Sequence, residues 1–88
     1  MRVEATGRPP RCKLIRLSAD LEDGVIRGIS IRGDFLATPE AGFDRAEQRL
    51  VGTPAAVAGR NFDLFLVEEG VQAYGINGAA IEELLRHG

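Results

Sequence analysis

The sequence predicts an α+β fold: a small antiparallel sheet, built from a β-hairpin plus a third strand, covered on one face by about three helices. Three observations predict it. Apolar and polar residues alternate from Ile15 to Leu21, the period-2 mark of a half-buried strand. Thr38-Pro39 and Thr53-Pro54 each open a stretch whose apolar residues recur at helical spacing. A last apolar cluster, Ile81, Leu84 and Leu85, follows Asn77, a good N-cap. Strands come first and helices after, the order of a sheet with its helices on one face.

Taken in order, the first ten residues, MRVEATGRPP, mix polar groups with Gly7, Pro9 and Pro10 and read as a short or irregular extended lead-in. From Cys12 the pattern becomes a strand, with Ile15, Leu17, Ala19 and Leu21 on one face and Leu14, Arg16, Ser18 and Asp20 on the other. Glu22-Asp23-Gly24 supplies turn chemistry. A second strand follows from Val25 to about Ile31, antiparallel to the first. Ile29 and Ile31 share a face with Val25, which puts Arg27 on the apolar side. A bulge near Gly28 would shift the phase and return Ile26 to the core; a rim position for Arg27 would serve equally well.

The helical half begins with Thr38 as N-cap, Pro39 at the first helical position and Glu40 complementing the dipole. Phe43, Ala46 and Leu50 form its apolar stripe, and Gly52 is the expected C′ residue. A second helix is expected from Pro54 to about Glu69, ending at Gly70, with Val57, Ala58, Phe62, Phe65 and Leu66 as its core stripe. Its NFDLFLV segment also reads as an alternating strand, but length and the TP…G brackets favour helix. VQAYGI is a loop or a brief extended piece, and Asn77 caps the closing helix. Two strands alone are marginally stable. The third comes from the lead-in, from VQAYGI or from another chain.

Composition limits the function. Eighty-eight residues make one domain, 1–88, and a chain of this size buries only about 60% of its unfolded surface. At 44% hydrophobic and 27% charged, the composition is that of a globular chain. No apolar run approaches the ~20 residues of a membrane span, and the N-terminus lacks the apolar stretch of a signal peptide. The expected location is therefore the cytoplasm, with no membrane partner. A net charge of −2 argues against nucleic acid. The single cysteine, Cys12, has no internal disulfide partner. The single histidine, His87, stands one residue from the end, where fraying is expected. Metal sites usually draw on several such residues. No metal site and no catalytic residue is therefore expected of this chain.

The stretch IRGDFLATPE, Ile31 to Glu40, joins a strand to a helix through Gly33-Asp34-Phe35. Its spacing matches neither a Walker loop nor GxGxxG, so phosphate binding is weakly signalled. Structurally, Gly33 relaxes the turn, Asp34 bonds nearby backbone N–H groups and Phe35 anchors the junction in the core. Asp34 with Glu40, and Glu68 with Glu69, read as solvated or helix-end carboxylates better than as catalytic pairs. Cys12 lies between Arg11 and Lys13, two cations that would depress its pKa.

The span CKLIRLSADLEDGVIRGISIRGDFLATPEAGFDRAEQRLVGTP resembles the C-terminal accessory domain of lipoate–protein ligases. That family shows a Gly-Lys-Leu strand start, a Gly-turn hairpin, a signature close to Ile-x-Gly-Asp-Phe-Phe, and a helix ending in Leu-x-Gly. The counterparts are Lys13-Leu14, Gly24, Ile31 to Leu36, and Leu50 to Gly52, and INGAAIEELL looks like the family's closing helix. Cys12 replaces a frequent glycine and Leu36 a frequent second phenylalanine.

The resemblance implies a non-catalytic accessory subunit, one half of a two-part ligase. It would support formation of lipoyl-adenylate by a separate catalytic subunit, its heterodimer partner. That partner binds lipoate and ATP with Mg, and this chain alone binds no cofactor. Lys13, Gly33, Asp34 and Phe35 would then face the partner or its active site. Two other readings compete: a sulfur acceptor of iron–sulfur cluster assembly using Cys12, and a generic protein-interaction module that completes its sheet with another chain.

Overall fold

The structure, a computed structural model, describes residues 1–87, the side chain of His87 excepted; the fraying expected there lies outside that description. Three antiparallel strands, β1 (Arg2–Gly7), β2 (Ile15–Glu22) and β3 (Val25–Gly33), form one sheet in the order β1-β2-β3. The third strand is therefore the lead-in. It is regular: Val3 is fully buried and Ala5 half-buried, while Arg2, Glu4 and Thr6 are exposed. The period-2 pattern was present in RVEAT, and the following Gly-x-Pro-Pro obscured it. The N-terminal ammonium fixes the strand start by donating to the Leu21 carbonyl at 2.7 Å.

Register puts Val3 and Ala5 opposite Ala19 and Leu17, and Leu17 opposite Ile31, so one face of the sheet is continuously apolar. The other carries Arg2, Arg16, Ser18, Asp20 and Arg32, with Arg2 paired to Asp20 at 3.0 Å. Asp23 and Gly24, both at positive φ (53° and 76°), make the two-residue hairpin turn whose twist suits the strands. Pairing shifts between Asp20–Gly28 and Leu21–Ile26, leaving Arg27 as the extra residue of a bulge. Arg27 is exposed and Ile26 fully buried. Val25 pairs with Glu22 and so faces away from Ile26, Ile29 and Ile31; its expected place on their face is corrected by the bulge.

Two short strands, β4 (Leu36–Thr38) and β5 (Gln72–Tyr74), pair as a separate antiparallel ribbon. VQAYGI is thus the brief extended piece, joined to the segment after Phe35. Thr38 ends β4 and does not cap a helix. Helix α1 spans Glu40–Arg49, with Pro39 at the N-cap position and no side-chain cap. Leu50 is its C-cap, so Gly52 (φ 91°) lies one residue beyond the expected C′. The Gly52 N–H donates to Ile26 at 2.7 Å, and the Ile26 N–H to Thr53 at 2.9 Å, so this link covers the β3 edge. The second helix starts later than expected: a 3₁₀ turn, Ala55–Val57, precedes α2 (Ala58–Glu68). NFDLFLV is helical. Helix α3 spans Gly78–His87, and Asn77 accepts the N–H of Ala80 on its side-chain oxygen at 2.9 Å.

All three helices cover the apolar face. Phe62, Ile15, Ile26, Ile31, Leu50, Ile81 and Val3 are the largest fully buried side chains. Phe43 links Phe35 (5.3 Å between ring centroids) to Phe62 (5.9 Å, edge-on). Helices α2 and α3 cross where Gly59 meets Gly78, and a β-carbon on either would overlap the other's carbonyl oxygen. No helix among the described residues is long and apolar enough to cross a membrane.

Candidate partner-facing site

The site is built where three connecting segments meet. Leaving β3, Gly33 passes so close to the strand start that a β-carbon there would overlap the Leu14 carbonyl oxygen. That oxygen accepts the N–H of Asp34 at 2.9 Å. On the other side, the Lys13 N–H donates to Gly75 at 2.9 Å, just past β5. Lys13-Leu14 is thus held between the Gly33-Asp34 turn and Gly75. Lys13, Gly33, Asp34 and Phe35, singled out from sequence, do converge on one junction.

Their environments differ. Phe35 is half-buried against Phe43 and anchors the turn as expected. The Asp34 side chain is exposed, and among the described residues its carboxylate forms no ion pair. The expectation that this carboxylate bonds backbone N–H groups is corrected: the main-chain N–H of Asp34 makes the junction contact, and the exposed carboxylate accepts no backbone N–H among the described residues. Gly33 and Phe35 line an open cleft of about 310 Å³ with Ile31, Arg32, Ala37 and Glu40. Lys13 belongs to a second cleft, of about 420 Å³, which Tyr74 of β5 also lines.

Cys12 is buried, 8% exposed. Burial raises its pKa, as does the charge of Glu83; a backbone hydrogen bond at Asn77 opposes them only in part. The thiol stays protonated at neutral pH, so the depressed pKa that Arg11 and Lys13 suggested does not occur. An acceptor of sulfur needs the opposite, an accessible thiolate.

Glu47 was not foreseen. Its carboxylate is buried and accepts the N–H of Ile31 at 2.7 Å and Arg32 Nη1 at 3.0 Å; Arg32 also donates to the Ile31 carbonyl at 2.7 Å. A charge from α1 thus closes the open edge of β3 beside the first cleft. A sequence signal existed: Glu47 lies inside the stripe of Phe43, Ala46 and Leu50, where a carboxylate must find donors. Glu40 and Asp44 stay exposed at the cleft rim, and Glu68 and Glu69 pair with arginines of α1.

No family model matches the chain, and no curated protein matches it. Among solved structures it is similar to a chain from an archaeal lipoylation system, described as a bi-partite lipoate protein ligase and its E2 lipoyl domain from Thermoplasma acidophilum. Identity is 28% and the TM-score 0.79, over 98% of this chain and 96% of that one. The match supports a lipoylation-related protein, in agreement with the resemblance carried by the Gly33-Asp34-Phe35 signature.

Proposed function

We propose that this chain is the non-catalytic small subunit of a two-part lipoate–protein ligase. In this reading a separate catalytic subunit binds lipoate and ATP with Mg. There the lipoate carboxylate attacks the α-phosphorus of ATP, the mixed anhydride forms and pyrophosphate leaves. This chain binds that subunit as a heterodimer in the cytoplasm and supports the adenylation step. The observation that carries the proposal is the likeness, over nearly the whole length of both chains, to a chain of a lipoylation system that comprises a bi-partite ligase and its lipoyl domain. The junction agrees with it: Gly33 and Phe35 fix the turn, and the Asp34 carboxylate is left exposed for a contact outside the chain.

A second reading has one specific observation behind it. Lys13 is the chain's only lysine, and a protein that receives the lipoyl group needs one acceptor amine. Against this, the Lys13 backbone is bonded to Gly75, and a β-carbon on Gly75 would lie 2.6 Å from Lys13 Cγ. The lysine stem is thus laid along a neighbouring segment and not presented at a free tip.

Reconstitution separates the two. Lipoate-dependent ATP–pyrophosphate exchange is expected from the catalytic subunit only when this chain is added, and none from this chain alone. A lipoyl mass increment on Lys13, or exchange by the catalytic subunit at full rate without this chain, would refute the proposal.

A further inference from the structure

The connection from β1 to β2, Arg8-Pro9-Pro10-Arg11-Cys12-Lys13, places three of the chain's eleven basic residues within six positions, although acidic groups outnumber basic ones thirteen to eleven overall. The segment is held rigidly. Pro9 and Cys12 are buried, and the Cys12 N–H donates to the Pro9 carbonyl at 3.0 Å, closing a turn. Arg11 sits in the left-handed region there (φ 65°), a conformation uncommon for a residue with a long side chain.

Arg8, Arg11 and Lys13 are exposed and form no ion pair among the described residues; Arg16, Arg27, Arg60 and Arg86 are unpaired too, but only the first three are gathered on one cleft. With Tyr74 and Asn77 they line the 420 Å³ cleft, whose lining holds no carboxylate. Glu83 shares with Arg11 and Asn77 the lining of an adjoining cleft. Tyr74, which lines the same cleft as the cations, is the partner of Leu36 across the β4–β5 ribbon, and each is 68% exposed.

An exposed tyrosine flanked by arginines matches the make-up of protein interfaces, in which Tyr and Arg anchor and polar groups form the rim, and Leu36 adds apolar area beside it. Three cations neutralise too few phosphates to hold a nucleic acid on a chain of net negative charge. The geometry points to a docking surface with Tyr74 and Leu36 at its centre and Arg8, Arg11 and Lys13 along one side. It receives a folded protein that offers an apolar pocket bordered by carboxylates. This rests on the function proposed above, so the protein is the catalytic subunit. The cations steer its approach, and the apolar pair sets its residence time.

The test is the binding of the intact chain to its catalytic subunit, followed by surface-immobilised kinetics at several ionic strengths. Arg8→Glu/Arg11→Glu should raise Kd by about tenfold or more at low salt, mainly through a slower on-rate, and the difference should shrink as salt rises. Tyr74→Ser should act mainly on the off-rate. Arg16→Glu/Arg27→Glu, on the polar sheet face and the bulge, should change Kd by no more than about twofold. Thermal melting checks each fold, and should a charge-reversed pair not fold, Arg8→Gln/Arg11→Gln replaces it. Equal effects of the two arginine pairs, no effect of either, or a homodimer of this chain abolished by Tyr74→Ser would overturn the inference while leaving the adenylation role standing. Failure of the unaltered chain to bind or stimulate the catalytic subunit would instead remove the proposed function, and the docking surface with it.

Discussion

The charges between α1 and α2 and the charges around the Lys13–Asp34 junction are the same residue types put to different ends. Between the helices both arginines of the second half of α1 have partners, while Arg60 of α2 has none among the described residues. Arg45 meets Glu69 at 2.7 Å, Arg49 meets Glu68 at 2.6 Å, and the Arg49 guanidinium lies 4.0 Å from the centre of the Phe65 ring. Arg32 and Glu47 close the β3 edge. Around the junction, Arg8, Arg11, Lys13 and Asp34 lack ion-pair partners among the described residues. Exposed pairs contribute ~0–1 kcal/mol each, so they adjust stability and do not create it. The paired side helps hold the fold together, and the unpaired side is where the proposed docking surface lies.

The largest blow to this contrast falls where both regions share backbone. Gly33→Ala drives a β-carbon into the Leu14 carbonyl, which no flexible side chain can relieve. A loss on the order of 3 kcal/mol is expected in denaturant unfolding. A loss below about 0.5 kcal/mol would mean that the junction is loose and that Asp34 is not held in place.

Glu47→Ala comes next. It strips the acceptor from the buried Ile31 N–H and from Arg32, and should cost roughly 1–3 kcal/mol. Glu47→Gln keeps one acceptor oxygen and should lose less. If the two variants melt alike, the hydrogen bond to Ile31 contributes nothing and Glu47 belongs with the surface charges.

The smallest effect concerns Glu69. The hydrogen bond from Arg45, then the charges of Arg45 and Arg49, hold its carboxyl below the ordinary value of 4.5. A depressed folded pKa stabilises fully above that ordinary value, and the contribution is lost as pH falls through the folded value. Glu69→Gln should therefore melt slightly lower than the unaltered protein above about pH 5 and converge with it in stronger acid. Parallel melting curves across the whole range would show the α1–α2 pairs to be inert.

Much of the architecture was legible in the sequence because it is written in local patterns. The alternation from Ile15 to Leu21, the Asp23-Gly24 turn, the bulge near Gly28 and the Asn77 cap each depend on a few neighbouring residues. Thr38 misled because a Thr-Pro pair normally opens a helix, and nothing local says that Leu36 to Thr38 will pair with residues 72–74. Long-range pairing prevailed over capping propensity there, as it did at Thr53, whose carbonyl serves Ile26. The site was half legible. The Gly33-Asp34-Phe35 signature located the junction, but the second cleft needs Tyr74 to fold back beside Arg8 and Arg11, which no spacing reveals. Glu47 was readable in principle, as a carboxylate inside an apolar stripe.

The most direct measurement sets Asp34→Ala beside Glu47→Ala, each assayed for thermal melting and, with the catalytic subunit, for lipoate-dependent ATP–pyrophosphate exchange. The account predicts that Asp34→Ala keeps its Tm, within the ±0.5 kcal/mol or so of an ordinary surface substitution, and loses exchange even at saturating small subunit. Glu47→Ala should lower Tm and, below that temperature, retain exchange. Normal exchange by Asp34→Ala together with a Tm several degrees lower would contradict the account and return Asp34 to a purely structural role.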